Sequence, residues 1–188
     1  MRHFLRTNRW LFLIFLASFL VRAFFFFNIL RSSGETGFYP SANEDAQEYL
    51  VLAKNLATKH FSREATAPYN PERFRTPGYP AFLFFATFFG RNVVAAIILQ
   101  NILFLIFIYY FSLFVKKTVG QLAASITGLV LAIDPTIVYW NNQLTSETLF
   151  TIALGLATYF LSQAMKLKSE KYLSSSVFFL LISVYLRP

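Results

Sequence analysis

The 188-residue sequence contains no cysteine. Disulfides, thiol nucleophiles and Cys-ligated zinc are therefore excluded. It holds only two histidines, His3 and His60, too few for a multi-histidine metal site. Charge is scarce as well: 14% of residues are Asp, Glu, Lys or Arg, against roughly a quarter in a soluble domain. A chain so poor in charge is neither disordered nor collagen-like, and it does not fit a soluble globular domain.

Apolar surface is abundant, at 56% of residues, with 24 Phe. The class left is an integral membrane protein. Lys and Arg outnumber Asp and Glu by 17 to 9, for a net charge of +8. Such a balance can indicate nucleic acid. Here the basic residues sit between apolar runs, where membrane topology places them, so no nucleic acid is expected.

The apolar runs predict an all-α integral membrane fold with about five spans, near 10–30, 93–115, 119–138, 145–165 and 172–188. Residues 31–34 offer no A-x-A cleavage site, so the first run reads as a retained span rather than a signal peptide. The loop 31–92 is polar, except for a run at 81–89 that is too short to cross and reads as interfacial or re-entrant. Arg2, Arg6, Arg9, Lys116, Lys117, Lys166, Lys168 and Lys171 all fall on one side if the N-terminus is cytoplasmic. The short loop 134–147 on the other side carries no Lys or Arg. The positive-inside rule then makes loop 31–92 extracytoplasmic, in a multi-pass protein of the cell membrane. The fifth run stops at Arg187-Pro188 without a polar tail, so 1–188 is expected to be the N-terminal part of a longer polytopic domain.

The outer loop carries the chemistry. Asn43 or Glu44 can cap a helix in which Tyr49, Leu52, Ala53 and Leu56 recur at helical spacing. That amphipathic helix is expected on the outer membrane surface, apolar face down. Asp45 shares a side with Tyr49 and Ala53. A carboxylate in the first turn is stabilised by the helix dipole. It can act as a general base or hold a metal ion. The alternative is a capping acidic cluster of Glu44, Asp45 and Glu48 on a solvated face.

The loop ends in Arg73-Phe74-Arg75-Thr76-Pro77-Gly78-Tyr79-Pro80, a rigid turn that sets two arginines where the chain re-enters the membrane. Arginine there suits a phosphate, or equally an anchor to lipid headgroups. Arg22 lies inside the first span, where a charge must face a cavity or partner, or else snorkel outward. Gln100 and Asn101 sit mid-span and suit interhelical hydrogen bonds. Glu147 follows Thr145 and Ser146 at the start of the fourth span. It reads as part of a helix cap, or as a second acid lining one outward cavity with Asp45. Lys59 and His60 read as solvated surface.

The order Asp45-x3-Tyr49-x3-Ala53, Arg75-x-Pro77-Gly78-Tyr79-Pro80, Gln100, Pro135, Ser146-Glu147-Thr148-Leu149-Phe150 and Arg187-Pro188 resembles the N-terminal part of a GT-C glycosyltransferase. The nearest type is the protein O-mannosyltransferase-like group, which includes the aminoarabinose transferase of lipid A. The resemblance spans essentially the whole chain. It implies a sugar donor carried on undecaprenyl or dolichyl phosphate. It also implies a lipid, glycan or protein acceptor, transfer on the outer face, and inversion at the anomeric centre.

Asp45 then matches the acid held to be the general base or a metal ligand, and a divalent metal ion is a candidate cofactor. Arg22, Arg73, Arg75 and Lys54 are the candidate cations for the leaving phosphate. Tyr49, Tyr79 and Glu147 join them as candidate substrate-binding residues. The Glu44-Asp45 order departs from the usual acidic pair, so both carboxylates stay candidates. Such enzymes have many more spans and often a soluble C-terminal domain. The acceptor site is thus expected outside 1–188, and this part alone is expected to be inactive. A non-catalytic scaffold and a fragment of a lipid-linked-substrate transporter are the competing classes.

Overall fold

The computed structural model describes residues 9–39, 45–64, 66–87 and 92–187. Among these residues there are α-helices and connecting loops, and no strand. Helix α1 (Arg9–Ser33) runs on into a 3-10 turn, Gly34–Phe38. Then come α2 (Asp45–Leu56), α3 (Gly78–Ala86) and α4 (Val93–Thr118). The rest is α5 (Gln121–Ile133), α6 (Pro135–Asn141), α7 (Glu147–Leu167) and α8 (Glu170–Leu186).

The first, second and fourth expected spans correspond to α1, α4 and α7, three helices long and apolar enough to cross a membrane. The third expected span, 119–138, is broken. Helices α5 and α6 meet at 53° and together make a possible fourth crossing. The cause is Pro135, which lacks an N–H and cannot continue the helix before it. Asp134 turns this break into a new helix start, accepting a hydrogen bond from Ile137 N at 3.0 Å. The expected fifth span is α8, of 17 residues, shorter than the ~20 that a straight crossing needs.

Helix α4 is the spine and packs against α1, α3, α5, α6 and α7. Helices α7 and α8 form a hairpin, turned at Lys168 in the left-handed region (φ 49°). Gly155 lets α7 close on α4, since a Cβ there would meet the Phe107 ring. Phe12, Leu13, Phe19, Leu20, Phe24 and Phe27 of α1 point outward. Lipid chains solvate such a surface, which in water would drive aggregation.

Helix α2 departs from the expected placement. Its apolar face is not laid on the membrane but buried against protein. Ala46, Tyr49, Leu50 and Ala53 pack in one cluster with Tyr79, Leu83, Ile97 and Leu144. The short run near 81–89 supplies the reason. Its helix starts earlier, at Gly78, and presents Tyr79 and Leu83 as an apolar platform that α2 covers. Gly78 itself lies against the backbone of Tyr185 and Leu186, where a Cβ would clash with the Tyr185 carbonyl.

Candidate functional site

The site is built at the end of the bundle where α1 finishes and α4 and α7 begin. The first turn of α2 offers Asp45 and Glu48, one helical turn apart and so on one face. Arg75 enters this face from the loop before α3. Its Nη2 pairs with Asp45 Oδ1, and its Nε donates to Glu48 Oε2 at 2.9 Å. The three side chains keep between a quarter and a third of their surface exposed, so solutes can reach the cluster.

Arg75 is itself held from behind. Glu72 Oε1 accepts hydrogen bonds from the backbone N–H groups of Arg73, Phe74 and Arg75 at 2.9, 2.6 and 3.1 Å. Its other oxygen pairs with Arg63, whose Nη1 reaches Glu48 Oε1 at 3.0 Å. Burial alone would raise the Glu72 carboxyl. The amide donors of Phe74, Arg75 and Arg73 and the charge of Arg63 outweigh it and hold the carboxyl below its usual range. Burial likewise works against the Arg75 charge, but Glu48 and Asp45 more than offset it and keep the guanidinium protonated.

Beneath the arginine lies a layer of aromatic rings. The Arg75 guanidinium sits 5.5 Å from the Tyr49 ring centre. Tyr49 meets Tyr79 edge to face at 5.0 Å. Burial raises the Tyr49 hydroxyl above its usual range, against the opposing pulls of a Ser146 hydrogen bond and the Arg75 charge. Tyr79 is fully buried and donates to Gln100 Oε1 at 3.4 Å. Gln100 Nε2 donates in turn to the carbonyls of Asn141 and Gln143, at 2.9 and 2.8 Å.

Glu147 opens α7 near Tyr49, and its charge and that of Asp45 both bear on the same hydroxyl. Its Oε1 lies 3.8 Å from Arg187, and its Oε2 is buried without a hydrogen-bond partner among the described residues. Ser146 holds the N-cap position of α7 but makes no capping bond with its side chain. The expected cap is therefore not formed by Ser146.

The other candidates are spread out. Glu44 lies outside the described residues. Arg73 and Lys54 are exposed, and Arg73 contributes its backbone N–H to Glu72. Arg22 is not brought to the cluster; it is buried among α1, α4 and α5. It donates to Ala132 O at 2.7 Å and Leu131 O at 2.9 Å, and lies 5.0 Å from the Phe104 ring. Among the described residues no group of three or more His, Asp or Glu could hold a metal ion. Asp45, the metal candidate, faces a guanidinium instead.

Sequence reasoning left Glu48 in a solvated acidic cluster and gave no role to Glu72, Arg63 or Arg187. Only the presence of Glu48 one turn after Asp45 could have signalled a shared arginine.

The arrangement provides a basic side chain beside an acid, partly exposed at the end of an apolar bundle. Comparison with known proteins gives this geometry its context. No curated protein and no solved structure matches the chain. Residues 75–187, more than half of it, match the profile of the dolichyl-phosphate-mannose-protein mannosyltransferases. The match begins at Arg75 and takes in Tyr79, Gln100 and Glu147. The chain belongs to the dolichyl-phosphate-mannose-protein mannosyltransferase family.

Proposed function

We propose that this chain carries the donor side of a glycosyltransferase that moves a sugar from a polyprenyl phosphate to an acceptor hydroxyl. The observation that carries the reading is the contact between Asp45 and Arg75 in a chain of this family. Transfer by inversion needs a base on one face of the sugar and cations behind the leaving group on the other, so Asp45 and Arg75, paired here, part to admit the sugar between them. Asp45 takes the proton as the acceptor oxygen bonds to the anomeric carbon. The bond from that carbon to the phosphate oxygen breaks, and its electron pair leaves with the lipid phosphate. Arg75 receives that phosphate, and the exposed Arg73 adds a second cation. Tyr49 and Tyr79 form the apolar floor, and the part of the Glu147 side chain that stays exposed offers an acceptor for sugar hydroxyls.

The extracytoplasmic face is supported by charge placement. Lys116 and Lys117 end α4, and Lys166 and Lys168 lie at the turn from α7 to α8, all at the end of the bundle opposite Asp45. Trp10, at the start of α1, lies at that same end, 5.7 Å from Lys116. The positive-inside rule puts that end in the cytoplasm.

The test is transfer from dolichyl phosphate mannose in native membranes that contain the full-length protein. Asp45→Asn is expected to abolish transfer while the protein still inserts. Normal transfer by this variant would remove Asp45 as the base.

A further inference from the structure

The geometry points to Arg22 as a positioning residue for transfer. This inference rests on the transferase reading and assigns Arg22 a task away from the substrate. A charge at that depth in a span is costly and persists only with dedicated partners. Arg22 is 2% exposed, and both its terminal nitrogens donate to the protein. Nη1 donates to Ser18 Oγ at 2.5 Å and to Ala132 O at 2.7 Å, and Nη2 donates to Leu131 O at 2.9 Å. Ala132 and Leu131 are the last turn of α5, where Pro135 has stopped the helix and left carbonyls without intrahelical partners. Those carbonyls lie within the bundle, where unpaired backbone groups are expensive. The negative end of the helix dipole there also favours a cation. Arg22 thus holds the break in α5–α6 closed across 110 residues of sequence.

Beyond the break, α6 ends at Asn141, and this residue links Arg22 to the site. In the amide orientation that satisfies its neighbours, Asn141 Oδ1 accepts from Arg22 Nε at 3.2 Å, while its Nδ2 donates to Thr148 Oγ1 and Ile137 O at 3.0 Å. The Asn141 carbonyl accepts from Gln100 and Asn101, both at 2.9 Å. Gln100 receives the Tyr79 hydroxyl, and Tyr79 packs on the Tyr49 ring beneath Arg75. Thr148 adjoins Glu147 in the first turn of α7. The direction of α6, and with it the height of Tyr79 and Glu147, therefore depends on the guanidinium of Arg22. No substrate needs to touch it.

The test measures turnover of dolichyl phosphate mannose in native membranes carrying the full-length protein. Arg22→Lys keeps a cation but cannot reach two carbonyls and Asn141 together. We expect its kcat to fall about 10- to 100-fold, the scale of a small misplacement of reacting groups, with KM for the donor unchanged. A raised donor KM with kcat retained would make Arg22 a phosphate ligand and overturn the inference. Combined with Tyr79→Phe, the Arg22→Lys loss should shrink, because both changes act on one route. Losses that simply multiply would overturn it as well. If Arg22→Lys fails to accumulate, Asn141→Ala replaces it: the same kcat loss is expected, and wild-type kcat overturns the inference. If the wild-type protein itself neither turns over the donor nor binds dolichyl phosphate, the transferase reading fails and takes this one with it. Wild-type turnover alongside an unaffected Arg22→Lys variant defeats the positioning role alone.

Discussion

Arg22 and Arg75 are both arginines next to apolar helices, and from sequence both qualified as phosphate ligands. Their surroundings differ in kind. Arg22 is enclosed, and its partners are backbone carbonyls at a helix break. Arg75 is a quarter exposed, and its partners are the carboxylates of Asp45 and Glu48. Partly exposed ion pairs contribute only about 0–1 kcal/mol, because water and salt compete for each charge. A phosphate can therefore take Arg75 from Asp45 at little cost, and doing so leaves the carboxylate free to accept a proton. Carbonyls in the bundle interior have no such substitute, so Arg22 stays where it is. The comparison teaches that an arginine near a membrane is available for chemistry when its partners are exchangeable.

Substitutions at the two arginines and their partners separate the two roles. The largest effect is expected at the exchangeable end. Asp45→Asn should reduce transfer by about 10²- to 10⁴-fold, the range for loss of a general base, with unchanged membrane insertion. Arg75→Ala should raise the donor KM by about 10- to 100-fold, from charge-assisted hydrogen bonds worth about 1.5–3 kcal/mol. An unchanged donor affinity would show that the phosphate rests elsewhere. At the closed end, Arg22→Met should lower the thermal stability of the detergent-solubilised protein by about 2–5 kcal/mol, since carbonyls lose their donors. A variant as stable as the wild type would mean that water or another side chain replaces the guanidinium.

Gly78→Ala should cost about 1–3 kcal/mol in the same assay, because α3 must move off the Tyr185 carbonyl. The smallest effect concerns the loop behind Arg75. Glu72 is held below its usual range, and Glu64 is drawn down to about 2, chiefly by the Ser62 hydroxyl and then by Asn70. Carboxyls lowered on folding stabilise the loop above their unfolded pKa of roughly 4.3, and this is lost as pH falls through the folded value. Protease cleavage within 57–75 should thus be slow at pH 7 and quicken between about pH 4 and pH 2. A flat profile would show that these carboxylates do not order the loop.

Several features were legible before any coordinates. The long apolar runs became α1, α4 and α7, because contiguous apolar residues of bilayer length decide a helix by themselves. Asp45 and Tyr49 share one side of α2, as their four-residue spacing requires. The turn around Pro77 and Gly78 was readable from its residues, but not that Gly78 would meet a backbone more than a hundred positions away. The amphipathic face of α2 was readable too. Its burial against α3 was not, because an apolar stripe suits a lipid surface and a protein partner equally.

The sequence alone determined the helical class, the three long spans, the charge asymmetry of the two ends and the presence of an acid and two arginines in one loop. Each depends on residues close together in the chain. The tertiary structure decided which charge met which partner. Arg75 found Glu48 and Asp45 across 27 and 30 residues, and Arg22 found Ala132 across 110. The physical reason is that a buried or half-buried charge takes whichever donor or acceptor the packed helices bring within about 3 Å, and helix spacing along the chain does not encode that distance.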